Sequence, residues 1–141
     1  MTFAAHMRIG SLEIMAALLG VAVFAARPRV RPAAEVGRLR PMRLTMEVVE
    51  FGRSRPYEGR PPFEAGRGHE LDLVLRDPEV SRRHVRFENQ DGVVFVEDLH
   101  SSNGTFLNGR KLTEAIELRR GDAIDVGTTR LVVTSIGPWK Q

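Results

Sequence analysis

From Pro41 onward, apolar residues recur at every second position in short runs, and this periodicity most limits what the chain can fold into. The runs fall at 44–51, 62–66, 71–75, 84–88, 93–97, 105–107, 115–118, 123–126 and 130–136. Successive side chains on a strand point to opposite sides, so each run, once extended, presents one apolar and one polar face. Breaks fall at Gly52, Pro61-Pro62, Asp77-Pro78, Asp91-Gly92, Asn103-Gly104, Asn108-Gly109, Gly121-Asp122 and Gly127. Gly and Asn there suit the left-handed backbone of tight turns. Many short strands at close spacing predict an all-β fold, a two-sheet antiparallel sandwich. No stretch beyond Pro41 reads as a long helix. The absence of a repeat of roughly 20 to 50 residues excludes a propeller or solenoid.

The first part of the chain is different in kind. Residues 9–26 are apolar except for Ser11 and Glu13, with no polar face after Glu13. A helix apolar on all sides needs lipid or a large core around it, and at 141 residues the chain has room for one ordinary domain and a short appendage. At about 1.5 Å per residue the stretch reaches roughly 27 Å, slightly less than a hydrocarbon layer of about 30 Å. Glu13 leaves an uncharged run, 14–26, of signal-peptide length, and Val23-Phe24-Ala25 resembles a small-residue cleavage site. The cations that follow favour retention instead. Arg27, Arg29, Arg31, Arg38, Arg40 and Arg43 are opposed only by Glu35, and such clusters resist translocation. The expectation is a membrane anchor at 1–26, touching lipid through residues 9–26 in a single pass that leaves the C-terminal domain in the cytoplasm. A cleaved signal peptide and a soluble or surface-lying helix are the alternatives. An Arg/Pro-rich linker at 27–41 and a folded domain at 42–137 complete the organisation.

Composition narrows the chemistry. At 42% hydrophobic and 28% charged the chain suits a soluble core. It has no cysteine, which excludes disulfides and thiolate metal sites. His6, His69, His84 and His100 never fall at the spacing of a helical metal motif, so neither metal nor cofactor is expected. Net charge is +3, with 21 Lys and Arg against 18 Asp and Glu, and the excess sits mainly in the linker. That stretch lacks interleaved aromatics and any recognised motif, so nucleic acid is not an expected partner.

Three loops carry concentrated polar content. Gly66-Arg67-Gly68-His69 places an arginine between two glycines, where backbone can approach a ligand closely and a planar guanidinium fork suits phosphate. Ser81-Arg82-Arg83-His84 offers a hydroxyl and two guanidinium groups to a tetrahedral anion. Ser101-Ser102-Asn103-Gly104-Thr105 supplies short hydroxyl and amide groups able to hydrogen-bond an extended peptide. Taken singly, each is an ordinary turn or a solvated charge pair.

Their order and spacing say more. Gly66-Arg67, the run 71–75, Asp77, Ser81-Arg82-Arg83-His84, Asp98-Leu99-His100-Ser101-Ser102-Asn103-Gly104-Thr105, Asn108-Gly109 and Gly121-Asp122 together resemble the forkhead-associated (FHA) family over roughly the last two-thirds of the chain. The resemblance implies a module that binds a threonine-phosphorylated protein, the product of a Ser/Thr kinase. It implies that Arg67, Ser81, Arg82 and Ser102 contact the phosphate and that Asn103 bonds the peptide main chain. Gly66, His84, Gly104, Asn108 and Gly109 match the family's architectural positions, with His84 as a brace. Ser102 stands where the family usually has Thr, which keeps the hydroxyl and loses a methyl. Glu79, two residues before Ser81, is expected to disfavour acidic residues in the peptide.

Two other functions compete with this one, the second of them, phosphate-independent protein binding by an FHA-like sandwich, being the alternative reading. A hydrolase using Ser81, His84 and Asp98 would need a nucleophile elbow that the spacing does not provide, so no catalytic residue is assigned. A sandwich that binds proteins without phosphate would have no need of Arg67 and Ser81.

Overall fold

A computed structural model describes residues 40–140, and the structural statements below concern those residues. The anchor predicted at 1–26 and nearly all of the 27–41 linker lie outside them. Among the described residues no helix is long and apolar enough to cross a membrane.

Eleven strands follow one another as β1 (Met42–Glu50), β2 (Arg53–Gly59), β3 (Phe63–Gly66), β4 (Leu73–Val74), β5 (Val85–Gln90), β6 (Val93–Asp98), β7 (Thr105–Leu107), β8 (Arg110–Lys111), β9 (Ile116–Glu117), β10 (Ala123–Val126) and β11 (Thr129–Pro138). They form a six-stranded sheet in the order β2-β1-β11-β10-β7-β8 and a five-stranded sheet in the order β4-β3-β5-β6-β9. The alternation in β1 buries Met42, Leu44, Met46 and Val48, which meet Leu131 and Val133 of β11, Phe63 and Ala65 of β3, and Val85 and Phe87 of β5 in one core. Phe87 is fully buried and stacks on Phe63 with ring centroids 4.8 Å apart. Removing such a ring costs about 3 to 5 kcal/mol.

The structure departs from the sequence expectation in three places. β2 is an added strand: it is largely exposed and pairs only with β1, so burial imposes no alternation on it. Its Pro56 is tolerated because it lies on the sheet's edge, where one side of the backbone needs no ladder bonds. β8 is a two-residue addition, joined to β7 by Asn108 and Gly109, whose φ values of 49° and 83° suit a two-residue hairpin turn. The sandwich is also not wholly antiparallel. β3 and β4 run parallel, Ala65 opposite Leu73 and Gly66 opposite Val74, because the intervening loop doubles back and Leu75 N–H reaches the Gly66 carbonyl at 2.7 Å.

Candidate functional site

The β3–β4, β4–β5 and β6–β7 loops are stitched together by their own backbones. Arg67 N–H donates to the Ser81 carbonyl and Gly68 N–H to the Arg82 carbonyl, each at 3.0 Å. This contact is close enough to demand glycine at the end of β3. A Cβ on Gly66 would stand 2.3 Å from the Arg82 carbonyl oxygen and 2.8 Å from that of Ser81, and neither backbone atom can swing aside.

His84 joins the second loop to the third. Its fully buried ring accepts the Ser81 N–H on Nδ1 at 3.0 Å, so the proton resides on Nε2, which donates to the Gly104 carbonyl at 2.9 Å. Both ring nitrogens are thus occupied by backbone. Neither addresses the Ser81 hydroxyl, and the Ser–His–Asp arrangement needed for nucleophilic catalysis is not formed. Instead, Ser81 Oγ accepts the Ser102 N–H at 3.0 Å, which leaves the Ser81 O–H free to donate outward. Asn103 is drawn to the same cluster, its Nδ2 donating to the Glu79 carbonyl at 2.8 Å and the Glu79 carboxylate at 3.1 Å. Its amide oxygen has no partner among the described residues.

The cations divide into bound and free. Arg83 makes a bidentate pair with Glu64, both contacts at 2.6 Å, and Arg86 joins the same carboxylate at 2.8 Å. The Arg83 guanidinium beside Glu64 is the main reason that carboxyl falls to about 2. Arg67 and Arg82 are exposed and enter no ion pair among the described residues. Arg67 Nε–H donates to the Val80 carbonyl at 3.1 Å, which fixes the side chain and leaves its terminal N–H groups available. Of the adjacent Arg82 and Arg83, then, only the first is available to a ligand.

Two carboxylates anchor the loops from below. Asp77 is buried, yet it accepts Glu79 N–H at 2.9 Å, Thr128 N–H at 2.7 Å and the hydroxyls of Thr128 and Thr129. Burial alone would raise its pKa, and these bonds outweigh burial and hold it below the usual carboxylate range. Asp98 behaves alike: burial pushes it up, but the Ser101 and Thr105 hydroxyls and the Ser101 N–H bring it down. Glu50 at the end of β1 accepts Arg76 N–H at 2.6 Å, which ties the β4–β5 loop to the opposite sheet. Sequence reasoning gave no role to Glu50 and saw Asp77 only as part of a motif. Apart from Glu79 beside Asp77 and Arg55 beside Glu50, their partners lie between 26 and 52 residues away, where no local pattern signals them.

Of the remaining expected positions, Gly104 has φ 80° and so suits glycine. Asn108, φ 49°, donates to Asp122 at 2.9 Å and accepts Ala123 N–H at 2.9 Å, holding the turn before β10. Gly109 completes the hairpin beside it. These two positions shape the sheet end and make no contact with the three-loop cluster in the hydrogen bonds described.

The FHA domain family model matches residues 63–127, which span all three loops. An FHA domain solved in a structural and functional analysis of phosphothreonine-dependent FHA domain interactions is 30% identical to this chain with a TM-score of 0.58, over 67% of this chain and 96% of that one. The chain belongs to the FHA domain family. The solved FhaA FHA domain is similar too, at 32% identity and a TM-score of 0.58, with 64% of this chain and 98% of that one covered. Among curated relatives, the oxoglutarate dehydrogenase inhibitor of Corynebacterium diphtheriae is 45% identical over 73 residues, 52% of this chain and 50% of that protein. The glycogen accumulation regulator GarA of Mycolicibacterium smegmatis is 40% identical over 73 residues, 52% of this chain and 46% of that protein. The chain spans about half the length of the curated relatives it matches.

Proposed function

We propose that the chain is an adaptor that binds threonine-phosphorylated partners through Arg67, Ser81, Arg82 and Ser102, with Asn103 holding the peptide main chain. One observation carries the reading. Arg67 and Ser81 lie on loops joined by a 3.0 Å backbone bond, each is held by one internal contact, and each keeps outward donors with no acid paired to them. Such donors are matched by a phosphate, which carries roughly −1.5 to −2 charge near neutral pH and accepts several charge-assisted hydrogen bonds. The similar FHA domain studied for phosphothreonine-dependent interactions supports the same ligand.

The test is titration of the full chain with a phosphothreonine peptide library and its unphosphorylated counterparts. Preference for the phosphorylated set by roughly a hundredfold is expected, since each such contact contributes about 1.5 to 3 kcal/mol. Equal affinity for both sets would overturn the reading.

The proposal also includes an address: residues 9–26 tether the protein to a membrane, with the FHA domain on the cytoplasmic side. The apolar run followed by six arginines supports it. Deleting 1–26 should move the protein from the membrane pellet to the supernatant, and an unchanged distribution would reject the anchor.

A further inference from the structure

An open depression of about 620 Å³ lies beside the three loops, lined by Arg67, His69, Glu70, Val74, Arg76 and Arg82 among others. Ser81, Ser102 and Asn103 take no part in it, so it extends the candidate phosphate site in a separate direction. Its lining holds three arginines and a single acid, Glu70. None of the three is in an ion pair among the described residues, whereas Arg43, Arg55, Arg83, Arg86 and Arg130 each have an acidic partner.

Arg76 is the informative residue, because it belongs to this depression and to none of the contacts proposed for phosphothreonine. Its side chain is exposed, but its backbone is held firmly. Glu50 accepts its N–H at 2.6 Å, and the next residue, Asp77, is buried under the bonds from Thr128 and Thr129. An arginine anchored through its backbone and in no ion pair among the described residues keeps its guanidinium available to an external anion.

We propose that this depression is a second anion subsite, taking a further phosphate or carboxylate side chain from the same peptide that places its phosphothreonine against Arg67 and Ser81. The inference rests on the phosphothreonine reading. An extended peptide advances roughly 3.3 Å per residue, so a side chain two to four positions from the phosphothreonine reaches across a space of this size. Arg67 and Arg82 border both places and couple them electrostatically.

The experiment uses the full chain and phosphothreonine peptides in which a second phosphothreonine, an aspartate or an alanine is walked through the five positions on either side. One position should gain roughly tenfold in affinity over alanine, as expected for a second charge meeting partly exposed arginines. Arg76→Ala should erase that gain while leaving the alanine peptide within about twofold of wild type. A gain with phosphothreonine alone identifies a phosphate subsite, and an equal gain with aspartate identifies a general anion subsite. No gain at any position, or a gain that survives Arg76→Ala, overturns the proposal while the phosphothreonine reading stands. Failure of the singly phosphorylated peptide to bind overturns both.

Discussion

His84 accepts the backbone N–H of Ser81 on Nδ1 at 3.0 Å, and this bond sets the orientation of the candidate phosphate-binding loop. The other edge of the ring holds Gly104, so one buried imidazole fixes two loops that are 20 residues apart in sequence. His84→Ala removes the ring and leaves the Ser81 N–H and the Gly104 carbonyl without their partner. The variant should lose about 3 kcal/mol of stability and most peptide affinity. Urea unfolding and peptide titration together check this, and an unchanged midpoint would show the strut to be dispensable.

Arg67→Ala separates function from fold. The side chain is exposed and its single internal bond goes to the Val80 carbonyl, so the unfolding midpoint should barely move. Affinity for a phosphothreonine peptide should fall roughly a hundredfold, to the level of the unphosphorylated peptide. Calorimetric titration reads this directly. Retained affinity would remove Arg67 from the site.

Gly66→Ala should do the reverse, with damage that begins in the fold. The added methyl would meet the Arg82 carbonyl oxygen at 2.3 Å, and relief requires the Ser81–Arg82 backbone to retreat from β3. Overpacking of this kind costs about 1 to 3 kcal/mol. Loss of the Arg67–Ser81 and Gly68–Arg82 bonds would also be read as faster amide exchange at residues 67 and 68.

Acid sensitivity follows from the anchoring carboxylates. Asp77, Asp98 and Glu64 all have pKa values below their ordinary ones of 3.8, 3.8 and 4.5, with Glu64 at about 2. A depressed folded pKa means that the unfolded chain binds protons first as pH falls. The stabilisation is therefore complete above the unfolded values and is lost on acidification through the folded ones. Glu64 meets its arginines near solvent, so its share is screened and the buried Asp77 network dominates. Stability should be flat with respect to these groups above about pH 5 and fall steeply below about pH 4. Asp77→Asn should flatten that fall in a series of urea titrations, and an unaltered slope would exclude Asp77 as its source.

The core and the site were legible in the sequence to different depths. Strands such as β1 and β5 face a buried layer on one side, so burial itself writes the alternation into residues 42–48 and 85–87. β2 escaped because an exposed edge strand obeys no such constraint. At the site, the Gly-Arg, Ser-Arg and Ser-Asn-Gly segments are contiguous and could be read, but the division of labour between Arg82 and Arg83 could not. Glu64 decides it from 19 residues away. Arg76 is illegible for the same reason, since its place beside Arg67 depends on a doubled-back loop and on Glu50.

Glu79 offers the sharpest handle on sequence preference in the bound peptide. Its carboxylate lies 3.1 Å from the Asn103 amide nitrogen, so it stands beside the residue proposed to hold the peptide main chain, and its own side chain is exposed. A fixed carboxylate there attracts a basic peptide side chain and repels an acidic one, by an amount on the order of tenfold for partly exposed charges. Peptides with Lys or Arg near the phosphothreonine should bind more tightly than those with Asp at the position that faces Glu79. Glu79→Lys should invert the order. Because the Glu79 carbonyl still receives the Asn103 amide at 2.8 Å, the substitution leaves the loop's main anchor intact. The inversion should therefore occur without loss of affinity for a peptide that is neutral at that position. A wild-type protein that binds the Asp and Lys peptides equally would remove Glu79 from the recognition surface.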